Sequence, residues 1–168
     1  MPEAPDNTAS LAGKYLTFAL GDEEYGLPIL KVREIIGYMD VTAVPGTPGH
    51  VKGVINLRGQ VIGVADLRDK FGMMPVPRTE ETCIIVVEAG GGDGARPVST
   101  GLIVDRVSEV LDIRAEQLAP PPSMGGGIDA SAILALAKVE GEGGGVKILL
   151  DIDIVLGVAA AEPMLMAA

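Results

Sequence analysis

Tyr15-Leu-Thr-Phe-Ala-Leu-Gly-Asp-Glu-Glu-Tyr-Gly-Leu-Pro-Ile29 reads as two short strands folded back on one another. Tyr15–Leu20 and Glu24–Ile29 are largely apolar, and Gly21-Asp22-Glu23 between them offers residue types that tolerate the positive φ of a tight turn. A hairpin therefore opens the fold. Val32–Tyr38 continues as extended chain with apolar and charged positions mixed, until Pro45-Gly-Thr-Pro-Gly49 breaks regular structure and predicts a surface loop. Gly53–Leu57 and Gln60–Ala65 predict a second hairpin that turns at Arg58-Gly59. Leu67–Phe71 predicts a short helical turn ended by Gly72, with Asp66 as its N-cap. Pro75 and Pro77 close this half, and Thr82–Val87 reads as a buried strand.

After a Gly-rich connection at residues 90–94 the pattern starts again. Gly26-Leu-Pro-Ile-Leu-Lys-Val-Arg-Glu-Ile-Ile36 lies over Gly101-Leu-Ile-Val-Asp-Arg-Val-Ser-Glu-Val-Leu111, 75 positions on. Val61–Asp66 compares with Val146–Asp151, where the offset has grown to 85. Two similarly folded halves follow, switching near residues 75–85, with an insertion around Pro120–Gly127. Halves this small bury too little apolar surface to stand alone, so they are expected to share a core. Many short strands and little helix predict an all-β fold of two small barrels, which leaves few strand edges unpaired. The expected extent is a flexible segment over 1–12, a folded domain over 13–157 and a loose tail over 158–168.

Composition narrows the function classes. The chain has 168 residues, 48% of them hydrophobic, which suffices for a core. Its formal net charge of -10 argues against nucleic acid, whose binding draws on clustered Lys and Arg. No apolar stretch reaches the ~18 residues that cross a bilayer, and Met1–Asp6 lacks the pattern of a secretory leader, so a cytoplasmic place without membrane insertion is expected. Cys83 and His50 are the only residues of their kinds. Zinc clusters and His-dependent triads are thereby restricted, and neither a metal site nor a cofactor is expected.

The remaining candidates for chemistry have plain readings. The glycine runs at 90–94, 125–127 and 143–145 lack the strand before and helix after that a phosphate loop requires. No Gly-x-Ser-x-Gly elbow surrounds any serine, Cys83 sits among aliphatics as a small apolar residue, and His50 belongs to a loop. Glu23, Glu24, Asp151 and Asp153 read as solvated charge or a helix cap. Glu34, inside an apolar strand, and Arg58, in a turn, stand apart. Each is either a solvated charge or half of an Arg–carboxylate pair that fixes two segments in register.

The strings Tyr15–Ile29, Val32-Arg-Glu-Ile-Ile36, Val51-Lys-Gly-Val-Ile-Asn-Leu-Arg-Gly59, Val64-Ala-Asp-Leu-Arg68 and Leu102-Ile-Val-Asp-Arg-Val-Ser-Glu-Val-Leu111 resemble the CheW family of bacterial chemotaxis coupling proteins, from about Lys14 to Gly157. The resemblance implies two five-stranded SH3-like barrels with short helical turns around a shared core. It implies no catalysis, but an adaptor that links methyl-accepting chemoreceptors to the histidine kinase CheA within arrays recruited to the membrane. The expected partners are the kinase's regulatory domain and the receptor's cytoplasmic tip. Carried over position by position, Glu34 and Arg58 match the family's coupling pair, with Asn56 and Gly59 beside it. Val32, Ile35 and Ile36 match strand positions near the kinase contact, and Val104, Val107 and Val110 match strands beside the receptor groove. Gly63 departs from the proline that many members carry, and the Gly-rich connections look longer than usual. Two other readings remain open: a module of a larger signalling protein, and a small carboxylate enzyme.

Overall fold

A computed structural model describes residues 10–47, 51–90, 96–121, 130–139 and 145–156. His50, Ser123, the glycines at 91–94, 125–127 and 143–144, and both terminal segments (1–9 and 157–168) lie outside the described residues. The strands are β1 (Gly13–Leu20), β2 (Glu23–Pro28), β3 (Val32–Gly37), β4 (Val51–Leu57), β5 (Gln60–Asp66), β6 (Cys83–Gly90), β7 (Pro97–Val104), β8 (Arg106–Ile113), β9 (Leu118–Ala119), β10 (Ile133–Val139) and β11 (Gly145–Leu150). Two short helices, α1 (Leu67–Lys70) and α2 (Ile152–Leu156), follow β5 and β11. Each is started by an aspartate that accepts backbone N–H bonds: Asp66 from Arg68 at 2.9 Å, and Asp151 from Asp153 at 3.1 Å.

The strands form two sheets, in the orders β8-β1-β2-β11-β10-β9 and β3-β6-β7-β5-β4. The fold is all-β, as the short apolar runs predict. Each sheet curls until its ends are tied. In the five-stranded sheet, the chain leaving β3 returns to β4 through the Thr42–Val54 backbone pair, with N–H···O distances of 2.8 and 2.9 Å. In the other sheet, the two-residue β9 follows β8 and pairs with β10, so a sixth short strand accompanies the five long ones.

One parallel pairing joins strands from the two ends of the chain, and the other joins two strands near its middle. β2 pairs with β11, Gly26 opposite Leu149, and β7 pairs with β5, Gly101 opposite Val64. Each sheet therefore mixes strands from before and after the α1–β6 connection. The chain passes between the sheets at only two places among the described elements, from β2 to β3 and from β7 to β8.

Three apolar clusters follow from this layout. Tyr15, Ile113, Leu118, Ala135, Ala137 and Leu149 fill one barrel, and Ile55, Ile62, Val64, Ile84 and Val86 fill the other. The largest cluster draws on both sheets, with Leu16, Phe18 and Leu27 of one packed with Ile85, Val87 and Leu102 of the other. It also takes Leu67 and Ile152 from the two helices. Burial of this shared layer is the main force holding the barrels together.

Candidate functional site

The β4–β5 hairpin turns on two residues, Arg58 at φ 52° and Gly59 at φ 88°, between the paired Leu57 and Gln60. Consecutive positive φ values match the right-handed twist of the flanking strands. Glycine adopts that conformation freely, whereas an arginine there costs about 1–2 kcal/mol. Asn56 offsets part of this cost: its Oδ1 accepts the Gly59 N–H at 2.8 Å and closes the turn. Arg58 is the one non-glycine residue with positive φ among the described residues, so its direction is set by the backbone.

That direction carries the Arg58 guanidinium to the carboxylate of Glu34 on β3, with which it forms a hydrogen-bonded ion pair. β3 stands at one end of its sheet's strand order and β4 at the other. The pair thus spans the seam where the barrel closes. With 68% of the Arg58 side chain exposed, water screens the pair, and its worth to stability is below about 1 kcal/mol. Its position, on an accessible edge, matters more than its energy.

The expected partner-binding residues separate by burial. Ile35 is 44% exposed, a large apolar side chain beside Glu34. Val32 packs against the shared core and Ile36 against the barrel interior, so these two hold β3 in place and offer little surface. Asn56 and Gly59 are exposed in the turn and set its shape. The structure thus brings Glu34, Ile35, Asn56, Arg58 and Gly59 together on one barrel. Val110, half exposed, and Val107, packed on the shared core, lie on β8 of the other sheet. Val104 is 1% exposed and belongs to the core, out of reach of a partner. Asp105 ends β7 after Val104, and the chain then changes sheets.

Other charged residues are more organised than their sequence reading suggests. Glu24, read as solvated, accepts Lys147 Nζ at 2.8 Å and the Ser108 hydroxyl at 3.2 Å, with Arg106 at 3.5 Å. Burial alone would raise its carboxyl, but the bond and charge from Lys147 dominate with their neighbours and hold it below the ordinary glutamate value. Arg68 grips Asp105 with two prongs, at 2.9 and 2.6 Å. That bond, opposed by burial and aided by the Gly21 N–H, holds the Asp105 carboxyl low. A lysine inside the apolar run Val146-Lys-Ile-Leu-Leu150 was the sequence signal for the first pair. Nothing local signals the second.

Cys83 is half buried, and burial raises its thiol above the ordinary value, which leaves it a poor nucleophile. No group of three His, Cys, Asp or Glu side chains among the described residues is arranged to hold a metal ion. A shallow cleft of about 200 Å³ lies between Tyr38, Lys52, Arg68 and Arg78. Its Lys52 and Arg68 are engaged by Asp69 and Asp105, and Arg78 stacks 4.1 Å from the Tyr38 ring. None of the described helices is long and apolar enough to cross a membrane.

The chain matches the CheW-like domain family over residues 14–159. It is 42% identical over 142 residues to the chemotaxis protein CheW of Klebsiella aerogenes, covering 84% of this chain and 78% of that protein. It is 37% identical over 126 residues to the probable chemotaxis protein CheW of Rhizobium etli, covering 73% and 77%. The crystal structure of the scaffolding protein TtCheW from Thermoanaerobacter tengcongensis superposes with a TM-score of 0.73 at 33% identity, over 86% of this chain and 92% of that one. Sequence match and structural superposition therefore agree that the chain belongs to the CheW-like domain family.

Proposed function

We propose that this chain is a non-catalytic chemotaxis adaptor that couples methyl-accepting chemoreceptors to the histidine kinase CheA. Its membership of a family of chemotaxis scaffolds supports that role. The observation that carries the finer reading is the exposed Glu34–Arg58 pair beside Ile35, on the closing edge of one barrel. An exposed apolar side chain one residue along the strand from a fixed charge pair, on the opposite face, suits a protein partner that wraps the edge of β3 and gains area from Ile35 and register from the charges. We assign this edge to the regulatory domain of the kinase.

The receptor's cytoplasmic tip, a helical element, is assigned to the other barrel's β8 side, where Val110 offers an apolar anchor for a helix. The protein then acts in the cytoplasm and joins the membrane through its partners. Binding both partners on one scaffold lets receptor state bias kinase state without a covalent step.

The test is reconstitution: CheA and receptor-bearing vesicles are combined with the wild-type chain, and kinase autophosphorylation and co-sedimentation are followed. Wild type should bring the kinase to the vesicles and change its rate, whereas Arg58→Ala should lose the kinase and keep the receptor. Co-sedimentation of both partners by Arg58→Ala at the wild-type level would remove the assignment of this edge.

A further inference from the structure

The two crossings between the sheets carry the same polar device with its charges exchanged. At the β7–β8 crossing, Asp105 accepts the Gly21 N–H, just past the end of β1, at 2.7 Å and receives the two-pronged Arg68 from α1. At the β2–β3 crossing, Lys31 reaches Asp153 of α2 at 3.4 Å, and Asp153 accepts the Gly90 N–H, at the end of β6, at 2.8 Å. In both places a carboxylate is held between a cation and the amide of a glycine at a strand end. One has the acid on the crossing and the cation on the helix; the other has the reverse.

The two are unequal. The Arg68 and Asp105 side chains are 12% and 25% exposed, against 36% and 40% for Lys31 and Asp153. The first crossing is also fastened by Asp105 N–H to Ala19 carbonyl at 3.1 Å, and Arg68 Nη1 holds the Met74 carbonyl at 2.7 Å. A largely buried bidentate arginine keeps its geometry, whereas a single, more exposed lysine contact is weak and screened by salt.

We propose that the crossings form a hinge between the barrels, with Arg68–Asp105–Gly21 as its fixed pin and Lys31–Asp153–Gly90 as the latch that opens first. Leu30, 95% exposed, sits on the latched crossing, and β3 with Glu34 and Ile35 begins immediately after it. Opening the latch therefore moves the start of the strand that carries the proposed kinase edge. The hinge stands on its own geometry; only this consequence for coupling rests on the adaptor reading.

Amide hydrogen exchange, followed residue by residue by NMR on the whole chain without partners, tests it at Gly21 and Gly90. Raising salt from about 0.1 M to about 1 M shortens the screening length from ~10 to ~3 Å and should speed exchange at Gly90 by about 2- to 5-fold while leaving Gly21 unchanged. At low salt, Lys31→Gln should reproduce that effect and Lys31→Arg should not, whereas Arg68→Gln should speed Gly21 instead. The core amides of Ile85 and Leu149 report global opening. If Gly90 ignored both salt and Lys31→Gln, or if Gly90 quickened only together with Gly21 and the core, there would be no separate latch. Should Arg68→Gln fail to fold, the salt series and the Lys31 variants decide the matter. Because no partner is present, this result and the kinase-binding result can fail independently.

Discussion

Replacing Gly53 by alanine should cost far more than replacing Gly63, although the two glycines lie on neighbouring strands of one hairpin. A Cβ at Gly53 would stand 1.9 Å from the Thr42 carbonyl oxygen and 2.6 Å from its carbon, and both are backbone atoms that no rotamer change can move aside. The residue also sits at φ 146°, where an L side chain is strained. Relief requires opening the Thr42–Val54 pair, at 2.8 and 2.9 Å, which closes the barrel. Two backbone hydrogen bonds at about 1 kcal/mol each, with strain of about 1–3 kcal/mol, give a loss of about 3–5 kcal/mol. For a domain of this size that lowers the melting temperature by roughly 10 °C. At Gly63, by contrast, an added Cβ meets nothing within 4 Å. Alanine there should be neutral or stabilise by up to about 1 kcal/mol through the unfolded chain. Urea denaturation of both variants, monitored by circular dichroism, measures the difference. Equal stability of the two would refute the closure of the barrel at Thr42–Val54.

Three further outcomes are expected. Asn56→Ala should lose about 1 kcal/mol of stability, because the Gly59 N–H loses its acceptor, and should weaken kinase binding with Arg58 still present; Asn56→Asp, which keeps the oxygen, should restore both, as denaturation and binding would report. The Asp105 carboxyl, held low mainly by Arg68, contributes stability that is fully present above the ordinary aspartate value and lost as pH falls through its depressed folded value. A pH series of melting temperatures should accordingly show a shallower acid limb for Asp105→Asn than for wild type. Cys83, with its thiol raised by burial, should react with a thiol reagent at neutral pH more slowly than an unfolded control, a comparison read in one absorbance trace.

Local turn chemistry made both hairpins legible, because Gly21-Asp22 and Arg58-Gly59 announce their turns within a few residues. The capping aspartates of α1 and α2 were equally local. Partnerships across long sequence separations were not legible from the residues alone. Glu24 looked like solvated charge because its partner, Lys147, arrives through the parallel β2–β11 pairing. From their own chemistry Glu34 and Arg58 were undecided between solvated charges and a pair; the family resemblance favoured the pair, and the closing of the sheet sets β3 against the β4–β5 turn. Val104, Val107 and Val110 look alike in sequence, yet the chain changes sheets at Asp105, which leaves the first in the core and the last at the surface. Pattern gives burial within a strand, and it does not give the face presented after a crossing.

The most direct measurement is a calorimetric titration of the CheA regulatory domain into the wild-type chain and into Arg58→Ala, after equal melting temperatures have shown that both are folded. Saturable binding by wild type, weakened at least about tenfold by the substitution, a free-energy difference of about 1.4 kcal/mol, is the predicted result. Folded wild-type protein that fails to bind, or an Arg58→Ala variant that binds as tightly, would contradict the assignment of the Glu34–Arg58 edge to the kinase.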